Sequence, residues 1–193
     1  MVLGLLILTA IPTTIGVAQG ITQDRRQRDA EAAAKAAGLP TYFSLYTSSD
    51  IKELDCKDIT IRDGKFYIGC KNHPFAGYLR NMIETEIQAM VTTTSNDPPA
   101  MGWVYVHAET HEVRVGNKAE ASANRFGVWE YENGLVMDGK SAFWAVEGDG
   151  GEGEWRLYYF EDGAEGEEVR RKGKKAVEIS VKKTNITELI PSK

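Results

Sequence analysis

Along this chain the spacing of apolar positions changes twice. Residues 2–18 (VLGLLILTAIPTTIGVA) form an uncharged run whose bulk comes from Leu3, Leu5, Leu6, Ile7, Leu8, Ile11 and Ile15. Residues 21–37 (ITQDRRQRDAEAAAKAA) are polar and alanine-rich, and Ala, Arg, Gln, Glu and Lys are strong helix formers. Asp24 with Arg28 and Glu31 with Lys35 set opposite charges at i, i+4, Gly38 supplies a C′ position, and Pro40 forbids continuation. The pattern predicts a helix with no wide apolar stripe, a connector rather than a core element.

From Pro40 onward the period is two. Strands are predicted at 41–46, 58–61, 65–69, 103–108, 112–116, 128–131, 134–137, 142–147, 155–160 and 176–181, rich in aromatic and β-branched residues with Gly, Asn and Asp between them. Residues 82–89 show no clean period and leave helix and strand both open. The expected fold is mainly β: an antiparallel meander closing into a barrel or a sandwich, preceded by the apolar segment and the polar helix. The chain thus reads as three regions, an apolar leader (1–20), a connecting helix (21–38) and a β-rich domain (39–193).

Side-chain matching decides two turns. In DITIRDGKFYIG a two-residue loop at Asp63-Gly64 pairs Ile61 with Phe66 and Ile59 with Ile68 on one face, which favours a type I′ turn. In VWEYENGLVM a three-residue loop, 132–134, joins Tyr131 to Leu135 and Trp129 to Met137, with Gly134 expected in the left-handed region. The first register sets Cys70 across from Lys57 and sends Cys56 to the opposite side of the sheet. That placement does not meet disulfide geometry, so both cysteines are expected as free thiols.

The leader admits three readings. A secretory signal is supported by small residues around Ala18 but lacks a basic start, and Arg25, Arg26 and Arg28 oppose export of the chain beyond them. A spanning helix is short for the bilayer and carries Pro12. The preferred reading is a retained segment whose apolar side chains contact a membrane surface or a protein partner, with the body cytoplasmic. Secretion, which the sequon Asn185-Ile186-Thr187 would suit, is the alternative.

The net charge of -5 excludes general nucleic-acid binding, which requires a basic footprint. The basic run RRKGKK (170–175) comes after the acidic EDGAEGEE (161–168) and reads as a solvated loop.

The stretch TTSNDPPAMGWVYVHAETHEVRVG, with the apolar opening LGLLILTAIPTTIGV and a carboxyl half holding Trp129, Trp144 and Trp155, resembles a family of proteins from filamentous fungi. The resemblance implies fungal origin and single-domain organisation. It brings no activity, cofactor or catalytic residue with it.

Candidate chemistry is sparse. HAETH places His107 and His111 four apart, but on a hairpin tip that sends them to opposite faces, so no shared metal is expected. His73 has no visible partner. EGDGGEGE (147–154) offers Asp149, Glu152 and Glu154 to a calcium ion yet lacks EF-hand order, and reads as an acidic loop. Glu130 and Glu132 flank Trp129 but alternate away from it, and the Trp and Tyr residues read as core. No catalytic residue, metal or cofactor is therefore assigned. The function favoured is a non-enzymatic β-rich binding or scaffold domain tethered through residues 2–18. The alternative is an exported barrel or sandwich that binds a small ligand or glycan through aromatic side chains.

Overall fold

The computed structural model describes residues 40–82, 87–96, 99–148 and 153–186. The chain divides into two units, 1–39 and 40–193. The apolar leader with its seven contact residues, the connecting helix and the acidic loop at 149–152 lie outside the described residues. Among the described residues no helix is long and apolar enough to cross a membrane.

The strands are β1 (Phe43–Ser48), β2 (Ile59–Arg62), β3 (Lys65–Ile68), β4 (His73–Pro74), β5 (Gly77–Asn81), β6 (Gln88–Asn96) and β7 (Pro99–Val106). After β8 (Val113–Gly116) come helix α1 (Lys118–Ser122), β9 (Trp129–Tyr131), β10 (Leu135–Met137), β11 (Phe143–Glu147), β12 (Trp155–Tyr159), helix α2 (Ala164–Arg171) and β13 (Ala176–Asn185). Nine strands close into an antiparallel ring in the order β3-β12-β11-β13-β1-β5-β6-β7-β8 and back to β3. The fold is thus a barrel, not a sandwich.

Both hairpin registers follow the apolar matching. Ile59 faces Ile68 and Ile61 faces Phe66, and Asp63 (φ 51°) and Gly64 (φ 71°) make the left-handed pair that a type I′ turn requires. Tyr131 faces Leu135 and Trp129 faces Met137. Gly134, however, is not left-handed; a Cβ there would lie 3.3 Å from the Val181 carbonyl oxygen, so the glycine serves close approach to β13.

The inner faces of the ring supply one core, including Leu45, Phe66, Val104, Phe143 and Leu157, and Ile59 of β2 joins it. The β9–β10 hairpin, a sheet of its own, adds Trp129, Leu135 and Met137 to that core, all at most 1% exposed. The Tyr159 hydroxyl donates to the Met137 carbonyl at 2.7 Å and the Trp129 indole N–H to the Phe126 carbonyl at 3.0 Å, so neither aromatic buries an unpaired donor. Phe75 enters between Phe43 and Phe66, 5.8 and 5.9 Å away, and Gly77 leaves it room.

A second, smaller core lies on the opposite face of β11, where alternation sends Trp144 and Val146 away from Phe143 and Ala145. Helix α2 covers it. The charge-flip segment 161–175, expected as a solvated loop, in fact holds this helix over Ala164–Arg171: a Cβ on Gly166 would come 2.7 Å from the Trp144 ring, so glycine seats the helix on the indole. Arg170 lies 4.9 Å above the same ring and donates to the Ala176 carbonyl, while Glu167 and Glu168 pair with Arg170 and Lys172. Tertiary seating here outweighs the helix-weakening glycine at 166.

Gly77→Ala should lower stability by about 1–3 kcal/mol, as overpacked sites do. A Cβ at Gly77 would meet Phe75 at 2.5 Å and the Val91 carbonyl oxygen at 2.6 Å. Urea unfolding of the variant measures the loss, and an unchanged midpoint would refute the Phe75 packing.

Candidate binding cleft and charged junction

A cleft among the described residues grows out of two irregularities at the start of β2. The first is a bulge. The Cys56 N–H donates to the Thr47 carbonyl and the Thr47 N–H to the Lys57 carbonyl, both at 2.9 Å, so two residues oppose one. Cys56 takes φ 53°, at the place in such a bulge that glycine usually fills. Thr47, fully buried, holds this geometry with its side chain: the hydroxyl donates to the Leu54 carbonyl and accepts from the Lys57 N–H at 3.3 Å. Leu54, also fully buried, anchors the loop in the core.

The second irregularity is a crossing. The chain leaves β3 at left-handed Gly69 (φ 71°) and re-pairs on the far side of β2, with Thr60 facing Pro74 and Ile61 facing His73. Segment 69–72 must therefore pass across the first residues of β2. The Asn72 amide donates to the Thr60 hydroxyl at 3.5 Å, and His73 Nε2 pairs with the Thr93 hydroxyl at 3.2 Å.

Bulge and crossing enclose a cleft of about 530 Å³ lined by Cys56, Lys57, Asp58, Thr60, Cys70 and Lys71 among others. Both thiols are free. They border one cleft, contrary to the expectation that Cys56 lies on the opposite side of the sheet, because the bulge breaks the alternation on which that expectation rested. Asp55, 3.5 Å from Cys56 Sγ, pushes that thiol's pKa up, and burial pushes up Cys70.

Next to the cleft, three strands meet. Lys65 of β3 faces Arg114 of β8, Tyr67 and Ile68 face Arg156 and Trp155 of β12, and Glu112 faces Tyr158 directly. Charges line this junction. Glu112, 2% exposed, takes Arg114 at 2.6 Å and Arg156 at 3.6 Å; Glu154 takes Arg156 at 3.2 Å and Arg62 at 2.8 Å. Arg62 and Arg156 stand 4.2 and 5.5 Å from the Tyr67 ring. The Arg62 hydrogen bond holds the Glu154 carboxyl below its ordinary range, against the cost of burial and with help from Arg156.

The two histidines of the hairpin tip have separate surroundings. His107 Nδ1 accepts from the Glu109 and Thr110 N–H groups, whereas His111 (φ 59°) lies 3.4 Å from Glu165 and against Phe160. Glu130 and Glu132 are exposed while Trp129 is buried. Sequence reasoning missed the cleft; the left-handed cysteine had no signal in the text, though Gly69 beside Cys70 marked the end of the strand.

A closed antiparallel barrel with a hairpin in its core now stands beside a family model. The model of the fungal beta-trefoil domain matches residues 16–187. The chain belongs to that family. The fungal, β-rich character expected from the sequence is therefore established for this beta-trefoil domain. No curated protein and no solved structure matches it.

Two outcomes test the site's construction. Thr47→Val keeps the shape and removes the hydroxyl, leaving Leu54 and Lys57 short of partners; a loss of about 1–3 kcal/mol is expected in urea unfolding. A carboxylate whose folded pKa is depressed stabilises the fold above its unfolded pKa, and that stabilisation fades as pH falls through the folded value. Stability should thus decline below the ordinary carboxylate range, and Glu154→Gln should flatten that decline while lowering stability at neutral pH.

Proposed function

We propose that this beta-trefoil domain is a non-enzymatic binding or scaffold domain, tethered through residues 2–18, that meets its partner at the cleft between the Thr47 bulge and the 69–72 crossing. The observation that carries the reading is the anchoring of the cleft's wall. Thr47 fixes residues 54–57 by backbone and side-chain hydrogen bonds, so the recognition surface is ordered before a partner arrives. Exposed Lys57 and Lys71 with Asn72 offer donors to a partner surface rich in carboxylates or carbonyls.

The apolar opening stretch and the Asp-Pro-Pro motif belong to the same reading as marks of the family. Leu3, Leu5, Leu6, Ile7, Leu8, Ile11 and Ile15 insert shallowly into a membrane surface or a partner's groove, and Arg25, Arg26 and Arg28 keep the body on the cytoplasmic side. The alternative, an exported domain that stacks a glycan or small ligand on aromatic rings, has less to work with. Trp129, Trp144 and Trp155 are at most 5% exposed, and Trp103 packs on Phe126 at 5.7 Å.

Two comparisons test these parts separately. Proteins cross-linked in fungal lysate to the wild-type chain, but not to Lys57→Glu/Lys71→Glu, are expected; identical cross-linked sets would refute the cleft. The Leu5→Asp/Ile7→Asp chain should move from the pellet to the soluble fraction with an unchanged circular-dichroism spectrum, and equal partition of both chains would refute the tether.

A further inference from the structure

We propose that Cys56 and Cys70 are a modification site, a thiol pair that a low-molecular-weight disulfide such as oxidised glutathione converts reversibly into an intramolecular bridge. The two residues reach one cleft from two elements. Cys56 stands on the bulge, where its left-handed backbone breaks strand alternation, and Cys70 comes directly after left-handed Gly69 at the start of the crossing. The register brings those elements together: Ile59 faces Ile68, and the Gly69 N–H donates to the Asp58 carbonyl at 2.9 Å. Continued by one residue, it sets Lys57, the chain neighbour of Cys56, across from Cys70.

A bulge that carries cysteine where glycine is usual stores backbone strain, and such strain gathers where a side chain must be aimed. Exposure assigns the order of events. Cys56 is exposed and Cys70 partly buried, so Cys56 is the attacking thiol and Cys70 the resolving one. The Cys56 thiolate, its proton lost to solvent, attacks one sulfur of oxidised glutathione and expels one glutathione thiolate. The Cys70 thiolate then attacks the Cys56 sulfur of the mixed disulfide and expels the second glutathione thiolate. One sulfur–sulfur bond is broken and one formed overall; the pair gives up two electrons and two protons, and two glutathione thiols leave. With both thiol pKa values pushed up, the reaction quickens as pH rises above neutrality.

The test titrates the full reduced chain with mixtures of reduced and oxidised glutathione, native and in urea, and reads intact mass and non-reducing peptide maps. A native product lighter by two hydrogens is expected, with a peptide joining Cys56 to Cys70. The fold should favour the bridge by roughly tenfold or more over the urea-unfolded chain. Cys70→Ser should stop at a glutathione adduct on Cys56. Stable adducts on both native cysteines, a bridge between two chains, or a bridge no more favoured than in urea would each overturn the proposal.

Discussion

Closing this barrel poses a problem of direction. Antiparallel neighbours alternate up and down, so a ring of straight strands closes only on an even number, and here the ring has nine. The resolution is the junction at β3. β8 and β12 dock on successive residues of the same edge, at Lys65 and at Tyr67–Ile68, then turn away from β3 and meet each other at Glu112 and Tyr158. Three mutually antiparallel pairs fit together only because each strand leaves the shared edge after a short contact. The β2–β3 hairpin therefore joins the wall as a wedge, and β2 and β4 project beyond the ring.

That wedge accounts for the charges around it. A junction of three backbones leaves gaps that an ordinary sheet fills with cross-strand pairs. Long Arg side chains from β2, β8 and β12 span them, with Glu112 and Glu154 alternating between the guanidinium groups. Burying Glu112 carries a desolvation cost, which Arg114 and Arg156 offset without adding much net stability. Such a chain fixes which strands meet more than how tightly they hold.

What the sequence revealed of this arrangement was whatever depended on period. The pairs Ile59–Ile68 and Trp129–Met137 could be read because moving a strand by one residue would turn its apolar side chains to solvent. Closure, by contrast, rests on contacts such as Glu112 with Tyr158 that no local pattern announces. β6 went unread because its Thr-rich run, Thr92 to Thr94, alternates weakly. The cleft was hidden for a related reason: the bulge at Cys56 is dictated by Thr47, on a different strand, and helix α2 by an indole far upstream of it. Gly134 and Gly166 show the same limit, since each serves a neighbour distant along the chain.

The seat of Gly166 on Trp144 divides the three buried tryptophans into two populations, the fourth, Trp103, being half-buried against Phe126. Trp129 and Trp155 belong to the barrel core, while Trp144 belongs to the outer cluster that α2 covers. Detachment of α2 would wet Trp144 alone, whereas opening of the ring would wet all three. The fluorescence of this chain thus carries two clocks, one for the peeling of a surface helix and one for the collapse of the barrel. Wherever the two disagree in time, the helix has moved as a unit of its own.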